Sequence, residues 1–109
     1  MSRFLAIVIG AALAFNLQAR GNAEKGKQKA AQVCAACHGP DGNKPSAPDQ
    51  PVLAGQYYDY LLRALGDYKN GRRTNPIMKG FAGQLSPQDM QDLAAWFSSQ
   101  PTSSLHDQR

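Results

Sequence analysis

Three side chains stand close enough in sequence to do chemistry together: Cys34, Cys37 and His38, in the run Val33-Cys34-Ala35-Ala36-Cys37-His38-Gly39. On a helical turn they occupy positions i, i+3 and i+4 and project from one face. Two thiols and an imidazole on one face suit a flat cofactor that has two reactive vinyl groups and a central iron. The thiols form thioethers at one edge while the imidazole coordinates the metal from below. C-x-x-C-H is the pattern through which haem is attached covalently, and Ala35 and Ala36 are small enough to let a porphyrin approach the backbone. Other uses of these residues fit less well. A Cys34–Cys37 disulfide would close a very short loop with strained geometry. A redox dithiol needs a βαβ setting, and no strand pattern precedes the site. Structural zinc needs four ligands, and the chain has only two Cys and two His, with His106 in the tail.

A haem that carries electrons takes a second axial ligand from far along the chain. The candidates are Met78, Met90, His106 and the lysines. Met90 lies on the apolar stripe of a strongly patterned helix, which makes it core. His106 follows Pro101 in a tail, a poor source of a fixed ligand. Met78 falls in a stretch broken by Pro76, Gly80 and Gly83, where a thioether can be aimed independently of helical periodicity, so Met78 is the preferred ligand. An open sixth position, with Met78 as a gap-filling core residue, is the competing arrangement. A His/Met pair favours Fe(II) relative to nitrogen-only ligation, and a filled sixth position denies the iron to oxygen and peroxide. The expected chemistry is reversible Fe(III)/Fe(II) cycling with no substrate transformed, so no enzyme activity is expected.

The elements that must position these groups are helical. Residues 23–37 are Ala- and Lys-rich without Pro and read as one helix, capped by Asn22 with Glu24 in its first turn. Gly26 lies on its apolar stripe at a cost of roughly 1 kcal/mol; close approach by another helix would compensate, and an ordinary tolerated glycine is the alternative. Residues 39–55 hold four Pro and three Gly among polar residues, which excludes helix and strand. Directly after a haem ligand, this loop reads as an irregular wall on the proximal side. Residues 56–70 regain helical periodicity through Tyr58, Leu61, Leu62, Leu65 and Tyr68, with Gly71 as terminator. The tyrosines are expected to pack in the core with their hydroxyls wet. Residues 74–85 read as a second loop. Ser86-Pro87-Gln88-Asp89 gives a helix start with Ser as N-cap, Pro at N1 and an acid in the first turn. Met90, Leu93, Ala94 and Phe97 continue that helix, and Pro101 blocks it. The expected fold is all-α: three main helices plus irregular loops wrapped around one covalent haem, with residues 101–109 a flexible tail.

Residues 1–19 read as an export signal, with Arg3 as the positive region and a 12-residue apolar run from Phe4 to Phe15. That run is long enough for a signal core and too short for a membrane span. Cleavage after Ala19 is preferred because it leaves Asn22 to cap the next helix; cleavage after Ala23 has small residues at both key positions. An uncleaved anchor is the alternative. The domain is then residues 20–100, too small to be comfortable without a staple or cofactor. A buried porphyrin would supply the missing apolar centre. The whole chain carries +4; without Arg3, eleven cationic face eight anionic side chains, and two haem propionates bring the net charge close to neutral. Lys and Arg are scattered and accompany no nucleic-acid motif, so nucleic acid is not an expected partner.

The segments CAACHGPDGN, PVLAGQ, NPIMKG and LSPQDMQDLAAWFSSQ, in this order, make the chain resemble the class I c-type cytochromes. It is most similar to the small monohaem cytochrome c553 group and to one half of a dihaem cytochrome c4, over residues 21–100. The resemblance implies that Cys34 and Cys37 anchor haem c, that His38 is the proximal ligand and that Met78 is the distal one. It implies also that the carbonyl of Pro51 accepts a hydrogen bond from the proximal imidazole, which fixes the ring and raises its basicity. Gly26 and Ala30 match positions where the N-terminal helix crosses the C-terminal one, near Leu93 and Trp96. Trp96 stands where tyrosine is common, and its indole N–H needs a partner if buried. A dihaem member would carry a second C-x-x-C-H, which this chain lacks.

The function expected from these features is that of a periplasmic monohaem electron carrier, without stable membrane insertion once mature. Its partners would be redox proteins: a membrane respiratory complex, an oxidase or a periplasmic reductase. The alternatives are a dedicated haem subunit of a larger oxidoreductase and an open-site haem peroxidase or gas sensor. The last needs a distal acid/base residue, and no spare distal His is evident.

Overall fold

The structure, a computed structural model, describes residues 20–102. The export signal read over residues 1–19, His106 and most of the expected tail lie outside the described residues. Among the described residues the elements are all α-helical: α1 (Ala23–Val33), α2 (Ala35–His38), α3 (Tyr58–Asn70), α4 (Pro76–Gly83) and α5 (Pro87–Ser98).

α1 starts as its sequence dictates. The Asn22 side chain accepts from the Lys25 N–H at 2.9 Å, and Glu24 lies in the first turn, where negative charge is favoured. The single helix expected over residues 23–37 is instead two, with the break at Cys34, whose φ of −114° is too extended for an α-helix. Cys34 serves both pieces: its N–H donates to Ala30 O at 2.9 Å, and its carbonyl accepts from the His38 N–H at 3.0 Å. Because that second bond is the i to i+4 bond of a helix, Cys34, Cys37 and His38 keep a shared face across the break. The physical cause is tertiary: Cys34 is packed against the core cluster, which helix propensity does not register.

α3 ends at Gly71, whose φ of +87° is the left-handed conformation of a helix terminator. The loop expected over residues 74–85 is also corrected: Pro76–Gly83 is a helix. Asn75 caps it, accepting from the N–H groups of Ile77 at 3.0 Å and Met78 at 3.2 Å, and Pro76 takes N1, where its missing N–H costs nothing. Gly83 closes the helix, so only Gly80 opposes it from within. α5 begins with the expected cap as a full capping box: Asp89 N–H donates to Ser86 Oγ and Ser86 N–H to Asp89 Oδ2, both at 3.0 Å.

α5 is the central element, packed against α1 on one side and α3 on another, with α4 against α3. The core holds Ala30, Leu61, Leu85, Leu93, Ala94 and Phe97, with Met90 half-buried against it as expected. The expected close approach at Gly26 is present: a Cβ there would fall 1.9 Å from Asp92 O and 2.8 Å from Trp96 Cβ. One polar contact fixes this crossing and a second anchors α5 elsewhere. The buried carboxylate of Asp92 accepts the Asn22 N–H at 2.7 Å, and the Trp96 indole N–H donates to Pro40 O at 3.0 Å. That second bond supplies the partner the indole requires and ties α5 to the loop after His38.

Candidate haem site

The helices and the long loop form a cavity of about 240 Å³. Exposed residues, Ile77 and Phe81 among them, share in its lining, so it is a cleft open to the surface, of the kind that takes a ligand, and not a closed packing void. Its walls are largely apolar: Val33 and the two cysteines from the α1–α2 junction, Leu61 and Leu65 from α3, Phe81 from α4, Leu93 and Phe97 from α5. Cys34, Cys37, His38, Pro51 and Met78, the residues singled out from the sequence, all line it.

His38 is buried, and its Nδ1 lies 3.0 Å from Pro51 O. A carbonyl can only accept, so Nδ1 carries the proton and Nε2 of the neutral ring is left with its lone pair free for a metal. Both thiols are free. Burial, reinforced by the neighbouring Cys37 and only partly offset by Lys29, pushes the Cys34 thiol up to about 11. A redox-active dithiol needs the opposite shift. Among the described residues, no group of three or more His, Cys, Asp or Glu side chains is arranged to hold a metal ion. The donor set that remains suits an iron porphyrin: two thiols for thioethers and one fixed imidazole for the metal. Met78, half-buried in the first turn of α4, places a thioether on the same cavity.

Two residues of the site were not anticipated from the sequence. Arg73 lines the cavity, with its guanidinium donating to the hydroxyls of Tyr60 at 3.2 Å and Tyr68 at 3.4 Å. Those bonds, Tyr60 first, hold the guanidinium more firmly in its charged form. They also give two of the tyrosines a partner where wet hydroxyls were expected; Tyr58 accepts from the Gly21 N–H at 3.3 Å. Gln50 also lines the cavity, and its side chain is folded back on its own loop. No spacing signals either arrangement, because both depend on where long side chains turn.

An all-α domain whose C-x-x-C-H segment faces an apolar cavity, with an imidazole oriented for a metal, defines a protein that carries a covalent haem. The chain belongs to the cytochrome c family, whose model matches residues 23–101. It is 53% identical over 85 residues to cytochrome c4 of Pseudomonas aeruginosa, covering 78% of this chain and 41% of that protein. It is 40% identical over 83 residues to cytochrome c-554(548) of Halomonas halodenitrificans, covering 73% of this chain and 98% of that one. Among solved structures it is similar to reduced recombinant cytochrome c4 from Pseudomonas stutzeri, with a TM-score of 0.70 and 48% identity, over 76% of this chain and 47% of that one. The chain thus spans less than half the length of these cytochrome c4 relatives. The fold is that of a class I cytochrome c and the cofactor is haem c, an iron porphyrin held covalently.

Proposed function

We propose that this protein is a periplasmic one-electron carrier with a single haem, exchanging electrons with redox proteins such as a membrane respiratory complex, an oxidase or a periplasmic reductase. The observation that carries the reading is that His38, oriented by Pro51, lines one apolar cavity together with both thiols and Met78. Haem bound there supplies reversible Fe(III)/Fe(II) cycling. The chain's own residues set the conditions. Cys34 and Cys37 would anchor the ring, while His38 Nε2 and Met78 Sδ would hold the metal, the thioether favouring the reduced state. Leu61, Leu93 and Phe97 exclude water. Tyr60, Ile77 and Phe81 line the cavity and are also exposed, Ile77 at 65% and Phe81 at 41%, so they form an apolar surface on which a partner can come close to the cofactor. Arg72 and Lys79 are exposed, before and within α4; they would steer an acidic partner, an effect on association rate that falls with salt.

Export is supported by Arg3 and the apolar run over residues 4–15. No helix among the described residues is long and apolar enough to cross a membrane. The test is a spectroelectrochemical titration of protein isolated from the periplasmic fraction. One reversible one-electron wave is expected, shifted to lower potential in Met78→Ala. A colourless protein, or one retained in the cytosolic fraction, would overturn the reading. Stoichiometric co-purification with a dehydrogenase would instead favour a dedicated haem subunit.

A further inference from the structure

The loop between His38 and α3 contains Pro45, Pro48 and Pro51, none of which has an N–H to offer, yet it must hold the carbonyl of Pro51 where the His38 ring can reach it. One side chain organises that stretch. Gln50 Oε1 accepts three hydrogen bonds: from Ser46 N–H at 2.9 Å, Ser46 Oγ–H at 2.8 Å and Ala47 N–H at 3.1 Å. The Gln50 backbone N–H donates to Ala47 O at 3.1 Å, closing a turn with Pro48 in its second position, where proline is favoured. The Ser46 N–H is shared with Cys37 O, also at 2.9 Å. This clip therefore touches the C-x-x-C-H segment at one end. At the other end it precedes Pro51 by one peptide bond, and Pro51 O takes the His38 Nδ1–H at 3.0 Å.

We propose that Gln50 is a positioning residue for the proximal imidazole: its carboxamide oxygen locks the turn at residues 46–50 and thereby fixes the Pro51 carbonyl that orients His38. The inference rests on the reading in which His38 ligates the haem iron. The carboxamide reaches neither iron nor imidazole directly; it acts through the peptide that follows it. Loss of the clip frees Pro51 O to move, which weakens its hold on Nδ1–H and makes the ring a less basic ligand. A less basic ligand supports Fe(III) less well, so the midpoint potential rises.

The test uses the haem-loaded protein in three forms: Gln50→Leu, which fills the space without an acceptor; Gln50→Glu, which retains the acceptor oxygens; and Ser46→Ala, which removes one donor of the three. The readouts are hydrogen exchange of the His38 Nδ1 proton, followed by NMR in the reduced state, and the midpoint potential. Gln50→Leu is expected to accelerate that exchange by about tenfold, the factor worth about 1.4 kcal/mol, and to raise the potential. Ser46→Ala should move both in the same direction by less. Gln50→Glu should keep slow exchange, and its added negative charge can only lower the potential. If Gln50→Leu loses thermal stability while His38 exchange and potential stay unchanged, the residue merely braces the loop and the proposal fails. Should Gln50→Leu fail to acquire haem, the comparison of Ser46→Ala with Gln50→Glu decides, and exchange unchanged in Ser46→Ala overturns the proposal. A colourless unsubstituted protein would sink the electron-carrier reading itself, whereas a coloured one with unresponsive variants sinks only this inference.

Discussion

Replacing Gly26 by alanine adds one carbon at the crossing of α1 and α5. That carbon would sit 1.9 Å from Asp92 O, 2.6 Å from Asp92 C and 2.8 Å from Trp96 Cβ. Two of these three neighbours are backbone atoms of α5, which cannot rotate away as a side-chain tip would, so the two helices must separate by more than an ångström. Overpacking of this kind costs about 1–3 kcal/mol, and the upper part of that range applies because the obstruction is backbone. Separation also pulls Asn22 N–H off the buried Asp92 carboxylate, a charge-assisted bond of about 1.5–3 kcal/mol if wholly lost. Alanine returns about 1 kcal/mol through helix propensity. With that bond weakened and not wholly lost, the net expectation is a loss of about 2–3 kcal/mol, which for a domain of this size lowers the melting temperature by about 10–20 °C. Gly80→Ala is the matched control: Gly80 is also helical, but nothing lies within 4 Å of its would-be Cβ. It should gain about 0.5–1 kcal/mol. Thermal melts of the two haem-loaded variants, run together, measure both signs. A Gly26→Ala protein as stable as Gly80→Ala would refute the close crossing.

Met78→Ala removes the thioether, and the variant should bind carbon monoxide in the reduced state as well as showing the lower potential; an unchanged spectrum with no carbon monoxide binding would remove Met78 from the ligand set. Trp96→Phe keeps the ring against α1 but forfeits the bond to Pro40 O, for an expected loss of about 0.5–1.5 kcal/mol by chemical denaturation. Bonds from Ser86, followed by the charge of Lys29, hold the Asp89 carboxyl below its usual range. A depressed carboxylate contributes stability that is complete above the unfolded value of 3.8 and is lost as pH falls from there through the lower folded value. Asp89→Asn should therefore lower stability in the neutral region and flatten the acid limb of a stability–pH profile, so that the variant and the unsubstituted protein converge at low pH.

The haem-binding segment was legible because its chemistry is carried by spacing alone: Cys34, Cys37 and His38 share a face whether or not the helix breaks at Cys34. The cost of Gly26 pointed to a helix crossing for the same elementary reason, since a glycine on an apolar stripe needs a neighbour that forbids a side chain. The start of α5 rests on adjacent residues and was equally plain. α4 is not legible in the sequence although Asn75-Pro76 repeats the N-cap and N1 pairing of Ser86-Pro87, because Pro76, Gly80 and Gly83 together read as breakers; Pro76 in fact starts the helix. Gly83 only closes the helix and Gly80 faces open space. Met78 reads from the sequence as a loop residue, and it lines the cavity from a helix instead. The Pro51 carbonyl came from family resemblance and not from any local signal. The Arg73 contacts with Tyr60 and Tyr68 and the Gln50 clip are set by side-chain directions, which neither periodicity nor capping encodes.

The central claim is that this chain holds one haem through two thioethers at Cys34 and Cys37. Its most direct test is a pyridine haemochrome measurement on exported protein after extraction with acidified acetone. The account predicts one haem per chain that stays with the polypeptide through the extraction. Haem that leaves with the solvent, or protein that never contained any, would contradict it.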